Sequence, residues 1–190
     1  MTYKKERGMG MELKIPENFF VGAAMSGPQT EGAYKTGGRL ESIWDTWSDL
    51  SISDFYNKVG SYVGNNFYEK YEDDIKLLKS LHMDSFRTSM QWSRLLTKDG
   101  KLNQEGAQFY HKVCKCAKEN QIELFMNLYH FDMPTFPFAR GGWESRDVVE
   151  AYAAYARAAF REFGSEIRYW FTFNEPIVEP DQRYRNGFWY

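Results

Sequence analysis

The stretch NFYEKYEDDIKLLKSLHMDSFRTSMQW, residues 66–92, decides the fold. Phe67, Tyr71, Ile75, Leu78 and Leu81 recur at three- and four-residue steps among charged residues, the spacing of a single apolar helix face. Asn66 followed by Glu69 has the form of a capping box, so the pattern predicts a helix over 66–81. After a short break, Ser85–Trp92 alternates in residue type, as a strand does.

The same unit recurs on both sides. Upstream, Phe19–Met25 is a short apolar run between Pro16 and SGPQTEG and reads as a buried strand. Residues 35–62, rich in Gly, Ser, Asp and aromatics, read as a long irregular segment. Downstream, residues 104–119 place Phe109, Val113 and Cys116 on one helical face, and Ile122–Tyr129 is a third strand. Ser145 is expected to cap a third helix with the stripe Val148, Val149, Tyr152, Ala156, Ala159, Phe160 and Phe163, stopped by Gly164. Ile167–Phe173 is a fourth strand.

Alternation at this spacing predicts an α/β fold with parallel strands and helical crossovers. A doubly wound sheet and a (β/α)8 barrel both fit. A complete barrel takes about 250 residues. Four parallel strands with three crossover helices in 190 residues therefore suit the amino-terminal half of a TIM barrel. Residues 1–14 are expected as a loose tail, and 15–190 as the incomplete barrel domain.

Composition removes several functions. Hydrophobic residues at 43% and aromatics at 18% exclude intrinsic disorder. Twenty-four basic against 26 acidic residues give a net charge of -2, so no global field draws the chain to nucleic acid or an anionic membrane. No apolar run approaches the roughly 20 residues of a membrane span, and the basic start lacks the apolar core of a secretory signal. Cys114 and Cys116 point about 200° apart on a helix, so they neither pair nor share a metal, and reduced thiols suit the cytosol.

The uncommon polar residues fall where strands end. Gln29 and Glu31 follow strand one; Gln91, Trp92 and Arg94 close strand two; His130 and Asp132 follow strand three; Asn174 and Glu175 follow strand four. In parallel α/β folds those ends converge on one rim, where ligands bind. Asp132, Glu31, Arg94 and Arg146 read as loop or rim structure. Trp92 and Trp143 read as core or as a platform for a sugar face. Glu175, between an apolar strand and Pro176, is expected on extended backbone and partly desolvated, which suits a general acid. Arg87 sits mid-strand on the face of Ser85, Ser89 and Gln91; if that face points into a barrel, the cation needs a buried anionic partner, and no strand here offers a clear inward carboxylate except at Glu175.

The ordered set FFVGAAMSGPQTEGA, SIWDTW, YEDDIKLLKSLHMDSFRTSMQWSRL, LYHFDMP, GGW and WFTFNEP resembles glycoside hydrolase family 1, from about Phe19 to Gly187. SGPQTEG, DFYNKVG at Asp54–Gly60, and HFD with Phe131 are most similar to the 6-phospho-β-glucosidases of that family. The resemblance implies a retaining β-glycosidase acting on phosphorylated β-glucosides, with no metal or organic cofactor. It implies Glu175 as general acid/base, Asn174 as donor to the sugar 2-hydroxyl, Gln29 and His130 as holders of sugar hydroxyls, and Arg87 as the residue orienting the nucleophile. The family's nucleophile lies in a TENG-type motif that this chain lacks. The isolated chain is therefore expected to be inactive without the carboxyl-terminal half. The alternative is a non-catalytic sugar-binding or non-functional half-barrel.

Overall fold

The computed structural model describes residues 14–186; the expected tail lies outside them except for Lys14. In chain order the elements are β1 (Gly22–Ala24), α1 (Gly27–Thr30), α2 (Ile43–Leu50), α3 (Phe67–Ser80), β2 (Ser85–Ser89), α4 (Trp92–Leu95), α5 (Gln104–Glu119), β3 (Glu123–Asn127), α6 (Thr135–Phe138), α7 (Arg146–Phe163) and β4 (Tyr169–Phe171). All strand pairs are parallel, and the sheet runs β1-β2-β3-β4 in chain order. A doubly wound sheet reverses its strand order at a switch point; this one does not. Consecutive right-handed crossovers then put the long helices α3, α5 and α7 on one face, and twist curls the sheet into a segment of barrel wall.

Register fixes which side chains face inward. Arg87, Phe125 and Tyr169 share one row, and Ser89, Asn127 and Phe171 the next. Phe125 stacks on Tyr169 with centroids 4.7 Å apart, and Phe20 meets Phe125 edge-on at 5.3 Å. The alternate residues Phe86, Leu124 and Met126 turn outward into a core shared with Ile75, Val113, Tyr155 and Phe163. Each such fully buried side chain contributes about 1.5–3 kcal/mol. Tyr155 also carries its hydroxyl inward, between the carbonyls of Met90 (2.7 Å) and Leu128 (2.9 Å), which lie just past the ends of β2 and β3. Trp92 stacks on the same ring at 5.4 Å, so its core reading holds. Gly106 lets α5 lie against α4, since a Cβ there would come within 2.1 Å of the Arg94 carbonyl oxygen.

Several local expectations change. The strands are shorter than their apolar runs because their ends leave the ladder to form the rim. Asn66 adopts φ 58°, in the left-handed region, and its side chain makes no cap bond, so the proposed capping box is not formed. Ser145 occupies the N-cap of α7 without a side-chain cap bond, and Gly164 ends that helix in right-handed backbone. A true capping box lies inside the segment read as irregular: Asp45 Oδ2 accepts from the Ser42 amide (2.8 Å) and hydroxyl (2.9 Å) and starts α2. Cys114 and Cys116 are free and buried, and burial pushes the Cys114 thiol up to about 12.

Periodicity alone does not reveal the clasp between α5 and α7. His111 Nδ1 lies 2.6 Å from Glu166 Oε1, and Nε2 lies 2.9 Å from Glu162 Oε1. Ionised carboxylates only accept, so satisfying both contacts requires both ring nitrogens to donate, and the ring is an imidazolium. Burial opposes that charge, but Glu162 and Glu166 outweigh it and raise the His111 pKa. A histidine with a raised native pKa adds stability below its unfolded value, near 6.5, and loses it as pH rises through the native value. Urea-denaturation midpoints should therefore fall across that window in the wild type, and His111→Gln should flatten the fall.

Candidate active site

The rim begins with β1 handing over to β2. The Met25 amide donates to the Arg87 carbonyl (2.9 Å), and the Gly27 amide donates to Ser89 Oγ (2.7 Å), which seats α1 on the end of β2. Gln29, on α1, is exposed, and its Oε1 accepts from Ser26 Oγ at 2.6 Å. It forms no hydrogen bond with the other predicted site residues among those described.

Arg87, Asn174, Glu175 and His130 form one electrostatic group. The Arg87 guanidinium donates from Nη2 to Asn174 Oδ1 at 2.7 Å, joining β2 to the turn after β4, and lies 5.3 Å from the Phe171 ring. Burial lowers the Arg87 pKa, opposed by the charge of Glu175. Among the described residues Arg87 makes no salt bridge. Its charge and, chiefly, burial push the His130 pKa down to about 4, so this imidazole is neutral at pH 7. His130 Nδ1 is buried with no hydrogen-bond partner among the described residues.

Glu175 differs from expectation in two respects. It is exposed rather than desolvated, and its φ is 42°, in the left-handed region, rather than extended. The aromatic residues that precede it are committed elsewhere: Trp170 packs on Phe160 at 5.0 Å, and Phe173 on Tyr129 at 4.5 Å. The chain then reverses at once, with the Val178 amide donating to the Glu175 carbonyl at 2.9 Å.

The residues read as loop structure do hold the rim. Glu31 and Arg94 form a buried ion pair at 2.7 Å, with side chains 2% and 0% exposed. Glu31 also accepts from Gln91 Nε2 (2.6 Å) and the Tyr110 hydroxyl (2.8 Å). Arg94 donates further to the carbonyls of Gly32 (3.2 Å), Thr36 (3.3 Å) and Ala33 (3.4 Å). A second pair, Arg39–Asp45 at 2.7 Å, joins the network through an Arg39 Nε bond to Gln91 Oε1 at 3.0 Å. Asp132 is fully buried and accepts from the amides of His130 (3.0 Å) and Trp92 (3.2 Å), and burial raises its pKa to about 7. Those bonds hold the turn in which Phe131 takes φ 65°. Arg146 is the exception: among the described residues it pairs with Glu150 alone, on the exposed face of α7. The residues that pattern reading misses, Tyr129, Glu179 and Arg183, form a buried knot beneath the Glu175 turn. The capping signature S-x-x-D at Ser42 is the one local signal that points to the Asp45 branch.

Comparison with known proteins follows the same outline. Residues 11–189 match the family described as glycosyl hydrolase family 1. The chain is 41% identical to 6-phospho-beta-glucosidase GmuD of Bacillus subtilis over 180 residues, 94% of this chain and 39% of that protein. It is 38% identical to Beta-glucosidase 9 of Arabidopsis thaliana over 175 residues, 91% of this chain and 34% of that protein. A crystal structure of the rice Os3BGlu6 beta-glucosidase superposes with a TM-score of 0.82 at 35% identity, covering 88% of this chain and 35% of that one. A family 1 b-glucosidase from Thermotoga maritima gives 0.83 at 32% identity, covering 88% and 38%. The chain thus spans little more than a third of the length of the relatives it matches.

Two measurements test the rim. Glu31→Gln leaves the Arg94 charge buried and unbalanced and should cost about 3–5 kcal/mol of stability by denaturation, whereas Glu150→Gln at the exposed pair should change little. Asp132 has a native pKa above its unfolded value near 3.9. Its contribution to stability is therefore greatest below about pH 4, falls as pH rises to about 7, and is level above that. Asp132→Asn should remove this slope, whatever it costs at fixed pH.

Proposed function

The chain belongs to glycosyl hydrolase family 1, and on that premise we propose that it carries the acid/base side of a retaining β-glycosidase site. Such hydrolysis uses two carboxyl groups about 5–5.5 Å apart. One protonates the departing glycosidic oxygen while the other attacks the anomeric carbon; water then releases the sugar, with the first acting as base. Glu175 takes the acid/base role. Its exposed position leaves it open to solvent and substrate.

The remaining residues are assigned by what each can donate. Asn174 accepts from Arg87 through Oδ1, which leaves its amide nitrogen free to donate to the sugar 2-hydroxyl. Neutral His130 and exposed Gln29 hold other hydroxyls. Arg87 orients the nucleophilic carboxylate, which this reading assigns to later barrel strands. The observation that carries the reading is the 2.7 Å Arg87–Asn174 bond: it places a half-buried cation lacking a salt bridge among the described residues beside the turn that bears Glu175.

The proposed substrates are 6-phospho-β-glucosides, supported by the HFD and SGPQTEG stretches and by 41% identity to a protein named for that activity. A cytosolic location goes with it, supported by two free buried cysteines. Because the chain covers 39% of that relative, a non-catalytic sugar-binding half-barrel is the second reading.

The test joins this chain to the carboxyl-terminal remainder of a relative and compares leaving groups. Glu175→Gln should reduce turnover of a poor leaving group by about 100-fold or more, while a dinitrophenyl glycoside retains most of its first step. Equal loss on both, with no rescue by azide, counts against the acid/base role. The unfused chain should show no hydrolysis; measurable turnover by it favours a complete site within these residues.

A further inference from the structure

The turn bearing Glu175 is strained and solvent-facing, yet an acid/base group must be held close to its working position. Two attachments flank it, and both run to one residue. Before the turn, the Asn174 amide donates to the Tyr129 carbonyl at 2.9 Å. After it, the Tyr129 hydroxyl donates to Glu179 Oε1 at 3.2 Å. Tyr129 is fully buried at the end of β3 and Glu179 is 2% exposed.

The second attachment is itself anchored. Glu179 pairs with Arg183 at 2.8 Å across one turn of the π-helical segment Pro180–Arg185. The Arg183 guanidinium lies 5.1 Å from the Phe138 ring of α6. Trp143 Nε1 donates to the Tyr129 hydroxyl at 3.3 Å, so that hydroxyl is used as both donor and acceptor. A buried carboxylate is costly unless ionically paired and hydrogen-bonded; here Oε1 is both, while Oε2 is buried with no hydrogen-bond partner among the described residues. The left-handed backbone of Glu175 (φ 42°) lies between the two fixed points, as expected where surrounding contacts over-determine a strained residue.

We propose that Tyr129 and Glu179 are positioning residues that clamp the Glu175 turn from both sides, so that the aim of the acid/base carboxyl depends on a buried tyrosine–carboxylate bond. The proposal rests on the acid/base reading of Glu175 for its catalytic consequence, but not for the clamp itself.

Two readouts separate these. In the 190-residue chain, amide exchange at Asn174 and Val178 should be about ten-fold faster in Tyr129→Phe and Glu179→Ala, with Met90 and Ala107 still protected. Glu179→Gln, which keeps an acceptor for Tyr129 but removes the charge facing Arg183, should restore protection in part, to a level above that of Glu179→Ala. Unchanged exchange at Asn174 and Val178 overturns the clamp. If Glu179→Ala loosens Met90 as well, Glu179→Gln decides: restored protection supports the clamp, and loss confined to 174–178 overturns it. In the fused barrel, Tyr129→Phe and Glu179→Ala should lower kcat about ten-fold for a poor leaving group, while the first-step burst rate with a dinitrophenyl glycoside is little changed. Equal loss in the first step of both substrates overturns the positioning role. Should Glu175→Gln itself show no leaving-group dependence, the acid/base reading fails while amide exchange still judges the clamp.

Discussion

A guanidinium and a carboxylate withdrawn from water hold this rim together. Glu31 comes from the loop after β1 and Arg94 from the helical turn after β2, and neither side chain retains solvent. Desolvation of either alone would cost several kcal/mol, so each must find the other and must also satisfy its remaining donors and acceptors. They do so through Gln91, Tyr110 and three loop carbonyls. Long, irregular backbone between β1 and α3 is thereby pinned to the strand ends, where a ligand would sit.

That rigidity sets the electrostatics of the inner face. Arg87 is the one charge projecting from the middle of a strand, and burial disfavours its charged form. It is tolerated because Asn174 accepts from it and the Glu175 charge lies near enough to be felt. Burial, with the same positive charge, keeps His130 neutral, so one imidazole nitrogen is an acceptor and the other a donor. Asp132, raised to about 7 by burial, acts below this layer as an anchor for backbone amides.

Legibility in the sequence varied with the range of the interaction. The α5 bounds follow periodicity residue for residue, and α3 and α7 nearly so, because a three- to four-residue stripe records burial of one helix face. That Arg87 and Phe86 point to opposite faces was also open to reading, since side chains alternate along a strand. The caps were less legible. Asn66 and Ser145 match the residue preference but make no side-chain cap bond, because cap chemistry depends on local dihedral angles that the preference does not determine.

The amino-acid sequence by itself determined the βα alternation, the outward apolar stripes and the placing of Gln29, His130, Asn174 and Glu175 after strands, all of which follow from local period and chain order. Tertiary structure decided the sequential sheet order, the exposed left-handed backbone of Glu175, the Glu31–Arg94 and His111–Glu162–Glu166 pairings, and the Tyr129–Glu179 contact. Those partners lie from 50 residues apart, for Tyr129–Glu179, to 63, for Glu31–Arg94. Contacts at such separation depend on how sheet and helices close around one another, a geometry that no stretch of residues short enough to have its own period can encode.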